Sequence, residues 1–166
     1  MVFGLPLQVF TLVHVVISLI GIATGLIVLF GMLFSKRDAG WTVLFLLTTI
    51  LTTVTGFMFP IHGFTPALGV GITSMVVLAI ALLALYVMHL AGAWRWIYVV
   101  TAVIALWFNV FVLIVQSFQK IAFLKAMAPT QSEPPFLIAQ TAALVILVIL
   151  GVLAAIKFRP GPAMAA

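Results

Sequence analysis

Three histidines, His14, His62 and His89, are the side chains in this chain with the widest chemical reach. Neutral imidazole ligates haem iron and copper and exchanges hydrogen bonds with a quinone oxygen. Each also has a plainer use. A single histidine buried in a helix most often serves a neighbouring carbonyl or hydroxyl, and one near a membrane surface is cheap to place. Their spacing decides which combinations can act together. His14 lies roughly 10 Å along the first apolar stretch at 1.5 Å per residue. His62 falls in the short loop after the second stretch. His89 lies near the far end of the third, about 30 Å from that loop by the same rise. His14 and His62 can therefore share a metal or quinone site, whereas His14 and His89 cannot share one haem.

Polar residues at helical spacing fall at similar depth. Thr11, His14, Ser18, Gly21 and Gly25 follow i, i+3, i+4 spacing on one face of the first stretch. Gly21 and Gly25 form a GxxxG, the pattern that lets another helix approach closely, so they read as packing residues. The second stretch carries Thr48, Thr49, Thr52, Thr53 and Thr55, with Thr48, Thr52 and Thr55 on one stripe. A threonine hydroxyl can bond the carbonyl three or four residues back, so the run is tolerated in lipid without a pocket. The fourth stretch aligns Asn109, Gln116 and Lys120. Asn109 is near mid-membrane, where an unpaired amide is costly, so it requires a partner. The fifth adds Gln140 and Thr141. His14, Ser18, Thr52, Thr55, Asn109, Gln116 and Gln140 would line a polar pocket open to the outer side of the membrane. The alternative is a set of unrelated interhelical hydrogen bonds, each worth about 0.6 kcal/mol.

What must position these groups is a membrane bundle. The chain is 66% hydrophobic, with two acids and seven bases in 166 residues, and its mean hydropathy is +1.46. A helix needs about 20 mostly apolar residues to cross the hydrocarbon core. Runs 6–34, 41–59, 67–91, 94–118 and 136–156 qualify. The expected fold is all-α, an integral membrane bundle of five transmembrane helices in one domain over 1–166. The first run is longer than the apolar core of a signal peptide and has no basic segment before it, so it reads as a retained span. Boundaries are punctuated. Pro6 suits a first helical turn, Asp38 can cap the second span, and Thr65-Pro66 opens the third. Gly92 is placed to end the third span, and Pro129 to Pro135 is a loop. Glu133 sits where the positive end of the last helix would favour a carboxylate.

Lys36, Arg37, Arg95, Lys157 and Arg159 fall on one side of this topology, and Lys120 and Lys125 on the other. The positive-inside rule then predicts a bacterial inner-membrane protein with its N-terminus outside and its C-terminus cytoplasmic. Trp41, Trp94, Trp96 and Tyr98 would form an aromatic belt at the cytoplasmic interface. The bases are scattered through loops, so they mark topology and not a nucleic-acid face. The expected partners are the lipid bilayer and a homo-oligomer or larger membrane complex.

The layout of His14-Val15-Val16 in the first span, Thr55-Gly56 closing the second, and the loop Ala128-Pro129-Thr130-Gln131-Ser132-Glu133-Pro134-Pro135 resembles small multi-pass membrane proteins of proteobacterial type. It is similar to the DUF2306 type, which pairs a first-span histidine with a later Thr-Gly. That group has a His-Arg pair in its first loop where this chain has Lys36-Arg37. The resemblance implies a membrane bundle and no particular activity.

No cysteine is present, which excludes thiolate chemistry. No Asp or Glu lies inside a span, so the carboxylate relays of many proton-coupled carriers are missing. There is no GxSxG, HExxH or Walker motif. These absences favour a non-enzymatic module, either a small accessory subunit or a binder of a lipophilic ligand. The alternatives are a redox subunit holding b-type haem, copper or quinone through His14 and His62, and a small oligomeric transporter or channel.

Overall fold

The structure is a computed structural model and describes residues 4, 6–60, 63 and 65–159. The described residues fold as α1 (Leu7–Leu33), α2 (Ala39–Phe57), α3 (Pro66–Leu82), α4 (Trp94–Lys120), the short α5 (Ala122–Met127) and α6 (Pro134–Lys157). A π-helical turn, Leu83–Val87, extends α3. Five of these segments are long and apolar enough to cross a bilayer, so the chain is a multi-pass helical membrane protein. His62 lies outside the described residues.

Local chemistry sets the helix ends. The Asp38 carboxylate accepts from the Trp41 amide at 3.1 Å, and the Thr65 hydroxyl accepts from the Leu68 amide at 3.2 Å. Each satisfies an amide that the first helical turn leaves without a partner. Pro6 occupies the N-cap position of α1, where its carbonyl accepts from Phe10. At the other end of α1, the Lys36 amide reaches the Gly31 carbonyl and the Ser35 amide reaches Met32, with Ser35 at φ 56°. That is a Schellman ending with serine where glycine is usual. The serine has a use there: its hydroxyl donates to the Lys157 carbonyl and accepts from the Arg159 amide, tying α1 to the end of α6.

One boundary differs from expectation. Helical structure in the third span stops at Val87 and not at 91, because His89, Leu90 and Gly92 all take positive φ. Gly92 thus belongs to the turn into α4 and does not itself end α3. Glu133 stands at the N-cap of α6, where its charge is expected, but its side chain makes no hydrogen bond into the first turn. Its carboxylate instead accepts from the Thr130 amide, the Thr130 hydroxyl and the Ser132 amide, and so closes its own loop.

α4 holds the centre and packs on α1, α3 and α6, while α1 and α2 form the closest pair. Tyr98, Val99, Ala105 and Leu106 of α4 are buried against Leu29, Phe45 and Leu78. Glycines permit close approach. A Cβ on Gly25 would lie 2.7 Å from the Phe45 ring and 2.8 Å from Leu106, and one on Gly151 would lie 3.0 Å from Val103. Tyr98 is fully buried beside Phe158 and so is not part of an interfacial belt, whereas Trp41 and Trp96 remain exposed. The contacts of α1, α4 and α6 bring Lys36, Arg37, Arg95, Lys157 and Arg159 to one end of the bundle. There Arg95 donates to the Ala155 and Phe158 carbonyls. Lys120 and Lys125 lie at the opposite end.

Candidate functional site

Polar groups occupy two separate places in this bundle. The first is a seam along α2. Near its C-terminal end, His14 Nδ1 lies 2.7 Å from Thr55 Oγ1. The Thr55 hydroxyl has a single proton, and that proton points to the Leu51 carbonyl at 2.6 Å. Its oxygen must then accept, so in the neutral ring Nδ1 carries the hydrogen and Nε2 presents a lone pair. Phe59 packs edge-on against the imidazole with centroids 5.2 Å apart, and Phe10 packs on Phe59. A Cβ on Gly56 would lie 3.7 Å from His14 Cε1, so that glycine leaves room beside the ring.

Two turns deeper, Asn109 Nδ2 donates to Thr49 Oγ1 at 3.3 Å. Gly21 makes this possible: its missing Cβ would sit 3.3 to 3.4 Å from Thr48, Thr49 and Asn109. One turn along α2 from Thr49, Thr53 gives its proton to the Thr49 carbonyl and lies 3.2 Å from Ser74, so Ser74 is the donor to Thr53. α2 is thereby joined to α1, α4 and α3 by one polar contact each.

The second place is a cavity of about 200 Å³ at the basic end, between α1, the α1–α2 turn and α4. Ile27, Val28, Gly31 and Met32 form its apolar side, and Lys36, Arg37 and Asp38 form its rim. Trp41, Thr42 and Tyr98 complete the wall. Two polar atoms in this lining are buried without an aligned partner, Arg37 Nε and the Tyr98 hydroxyl. Thr42 is the hydroxyl within reach of Tyr98; it gives its own proton to the Asp38 carbonyl at 2.7 Å, so its oxygen is the acceptor it offers Tyr98, without an aligned bond between them. An unpaired buried polar group of this kind costs roughly 1–3 kcal/mol, so a ligand or water that pairs with it gains that much.

No family model, curated protein or solved structure matches this chain.

Of the residues singled out in the sequence, His14 and Thr55 meet, and Asn109 finds the partner it requires in Thr49, a threonine outside the expected pocket lining. Ser18 and Thr52 direct their hydroxyls to carbonyls of their own helices, Val15 and Thr48. Gln116 is half-buried on α4. Gln140 joins α6 to α4 by donating to the Phe111 carbonyl at 3.1 Å, while its own oxygen and the nearby-layer Trp107 Nε1 are buried without a partner. Gly21 and Gly25 are both buried at helix contacts. Among the described residues no three His, Cys, Asp or Glu side chains gather as a metal site. The basic-end cavity had a partial signal in the sequence, the run Lys36-Arg37-Asp38 between two spans. Its floor did not, because Tyr98 joins it only through the packing of α4 against α1.

Proposed function

We propose that this protein is a non-enzymatic module of a bacterial inner membrane, a small accessory subunit that holds a lipophilic ligand with a polar head. One observation carries the reading: the basic-end cavity is apolar along α1 and cationic at its rim. An amphiphile has that same division. A cavity of about 200 Å³ is smaller than the roughly 300–1,000 Å³ of sites that enclose drug-sized ligands. It suits a headgroup and the first part of a chain, with the remaining chain in the bilayer. The five bases at that end favour the cytoplasmic side, with the N-terminus outside.

The test is the mass spectrum of the protein released intact from mild detergent. A bound amphiphile at near one-to-one ratio is expected, and it should be lost in Ile27→Trp, which fills the cavity from an exposed position. Equal occupancy in wild type and Ile27→Trp would reject the site.

A second reading, a redox subunit holding b-type haem, copper or quinone, is favoured by the lone pair that His14 Nε2 presents beside Phe59. Histidine ligands in metal sites are oriented in this way by a hydrogen bond on the other nitrogen. Visible spectra of oxidised and reduced protein expressed with haem and copper, together with quinone extraction, test it. A cofactor lost in His14→Ala and kept in His89→Ala supports it. No cofactor, or equal retention in both variants, removes it.

A further inference from the structure

We infer that the basic-end cavity recognises the phosphate of an anionic phosphodiester lipid, through Arg37, Lys36 and the hydroxyl of Tyr98. This inference rests on the amphiphile-binding reading and adds the chemistry of the head.

Charge narrows the choice of ligand. The rim carries Lys36, Arg37 and Asp38, a net of one positive charge. One oxygen of the Asp38 carboxylate is held by the Trp41 amide as the cap of α2. A single negative charge on the ligand balances this rim. A phosphodiester carries one. A headgroup with its own ammonium would bring that cation against Lys36 and Arg37, so a zwitterionic lipid is disfavoured.

Donor geometry narrows it further. Arg37 Nε and the Tyr98 hydroxyl are both donors, both buried and both without an aligned partner. They come from different elements, the α1–α2 turn and the wall formed by α4. A tetrahedral phosphate presents oxygens to both at once, whereas a planar carboxylate faces one direction. Arginine is well suited to phosphate oxygens, and its interaction is charge-assisted. Thr42 gives its own proton to the Asp38 carbonyl, so toward Tyr98 its oxygen can only accept, and the two hydroxyls are not aligned for that bond. Tyr98 is 0% exposed. A tyrosine whose hydroxyl lacks a partner in so closed a place is stabilised by an acceptor that arrives in the cavity.

The recognition site lies at the depth where a headgroup sits. Lys36 and Arg37 are in the turn that leaves the first span, and Ile27, Val28 and Met32 run inward from it along α1. Ile27 is 42% exposed on the outer surface of the bundle. A chain attached to the bound phosphate can pass beside it into lipid.

The experiment is a titration of the purified protein in mild detergent, followed by native mass spectrometry and thermal unfolding. The probes are dioleoyl phosphatidylglycerol, dioleoyl phosphatidylcholine, oleate and inorganic phosphate. Phosphatidylglycerol is expected to bind at least about tenfold more tightly than phosphatidylcholine or oleate, since one charge-assisted hydrogen bond is worth that much. Arg37→Gln should remove the preference, and Tyr98→Phe should reduce it several-fold without lowering the melting temperature of the lipid-free protein. Equal binding of the three lipids, or an unchanged preference in both variants, overturns the inference. So does a full thermal shift by inorganic phosphate with no lipid retained, which would assign the site to a free anion. Loss of all lipid in Ile27→Trp, with no headgroup preference in wild type, would leave the amphiphile site standing and remove the phosphate. Lipid binding unchanged by Ile27→Trp would remove both.

Discussion

Ser35 illustrates how a single side chain can be kept at a backbone cost. Its φ of 56° is the left-handed region, where a residue with a Cβ is penalised by roughly 1–2 kcal/mol. Glycine would avoid that penalty, but glycine has no hydroxyl to join Lys157 and Arg159 to the end of α1. Ser35→Ala keeps the penalty and loses both hydrogen bonds, so it should destabilise the protein by about 1–2 kcal/mol. Ser35→Gly exchanges one effect for the other and should fall between alanine and wild type. Thermal unfolding in one detergent orders the three, and an alanine variant as stable as wild type would show that the clamp contributes nothing. Glu133 offers a second case. Desolvation raises its carboxyl, but the hydrogen bonds from Thr130 and Ser132 outweigh it and hold the group below its ordinary value of 4.5. A carboxyl depressed in the folded state stabilises the loop above its unfolded value. That stabilisation is lost as pH falls through the folded one. The amide signals of Thr130 and Ser132 should therefore titrate together with a midpoint below 4.5, the ordinary value of this carboxyl. A midpoint at or above it would mean that the hydrogen bonds to the carboxylate do not form in solution.

At the scale of the elements, close approach of helices is what gathers the polar groups. Gly25 admits Phe45 and Leu106, and Gly21 admits Thr48, Thr49 and Asn109. Gly25→Ala would set a new methyl within 2.7 Å of the buried Phe45 ring. Overpacking of this kind costs about 1–3 kcal/mol, and Gly25→Leu should prevent assembly of α1 on α2. Ala23, exposed on the same helix, is the control: Ala23→Leu should leave the melting temperature unchanged. If Gly25→Ala and Ala23→Leu behave alike, α1 does not pack through this face. Much of this element-level structure was legible in the sequence. Apolar runs marked the five spans, and Asp38, Thr65 and Pro66 marked where two of them start. The spacing of His14, Gly21 and Gly25 marked the buried face of α1. What was not legible depended on neighbours. Thr49 and Thr52 look alike in the sequence, and only the rotation of α2 against α1 and α4 turns Thr49 to Asn109. Tyr98 sits beside interfacial tryptophans in the sequence, yet the inward face of α4 buries it. The early end of α3 follows from consecutive left-handed residues at His89 and Leu90, which no glycine or proline announces.

The molecule as a whole is polarised. α1, α3 and α6 end, and α2 and α4 begin, at the face that holds five of the seven bases. That face also carries the Ser35 clamp, the Arg95 contacts to the end of α6, and the cavity. The opposite face carries His14, exposed Ile121 and Phe123 at the start of α5, and the loop closed by Glu133. α6 rests on α4 and α1 with little of its surface buried, so most of it meets lipid or another chain. Anionic lipids are concentrated in the cytoplasmic leaflet, where each juxtamembrane base gains about 1 kcal/mol near the surface. The basic face, and with it the proposed phosphate site, should therefore be cytoplasmic. The chain has no native cysteine, so single cysteines report the topology without background. Arg159→Cys places one on the basic face and Lys125→Cys places one on the other. Both positions are exposed, and neither side chain makes a contact on which the bundle depends. In intact spheroplasts, a membrane-impermeant maleimide should label Lys125→Cys and should label Arg159→Cys only after lysis. The reverse pattern would invert the protein, and would place the cavity in the leaflet where an anionic headgroup is scarcer. Its ligand would then have to be sought among the lipids of the outer leaflet.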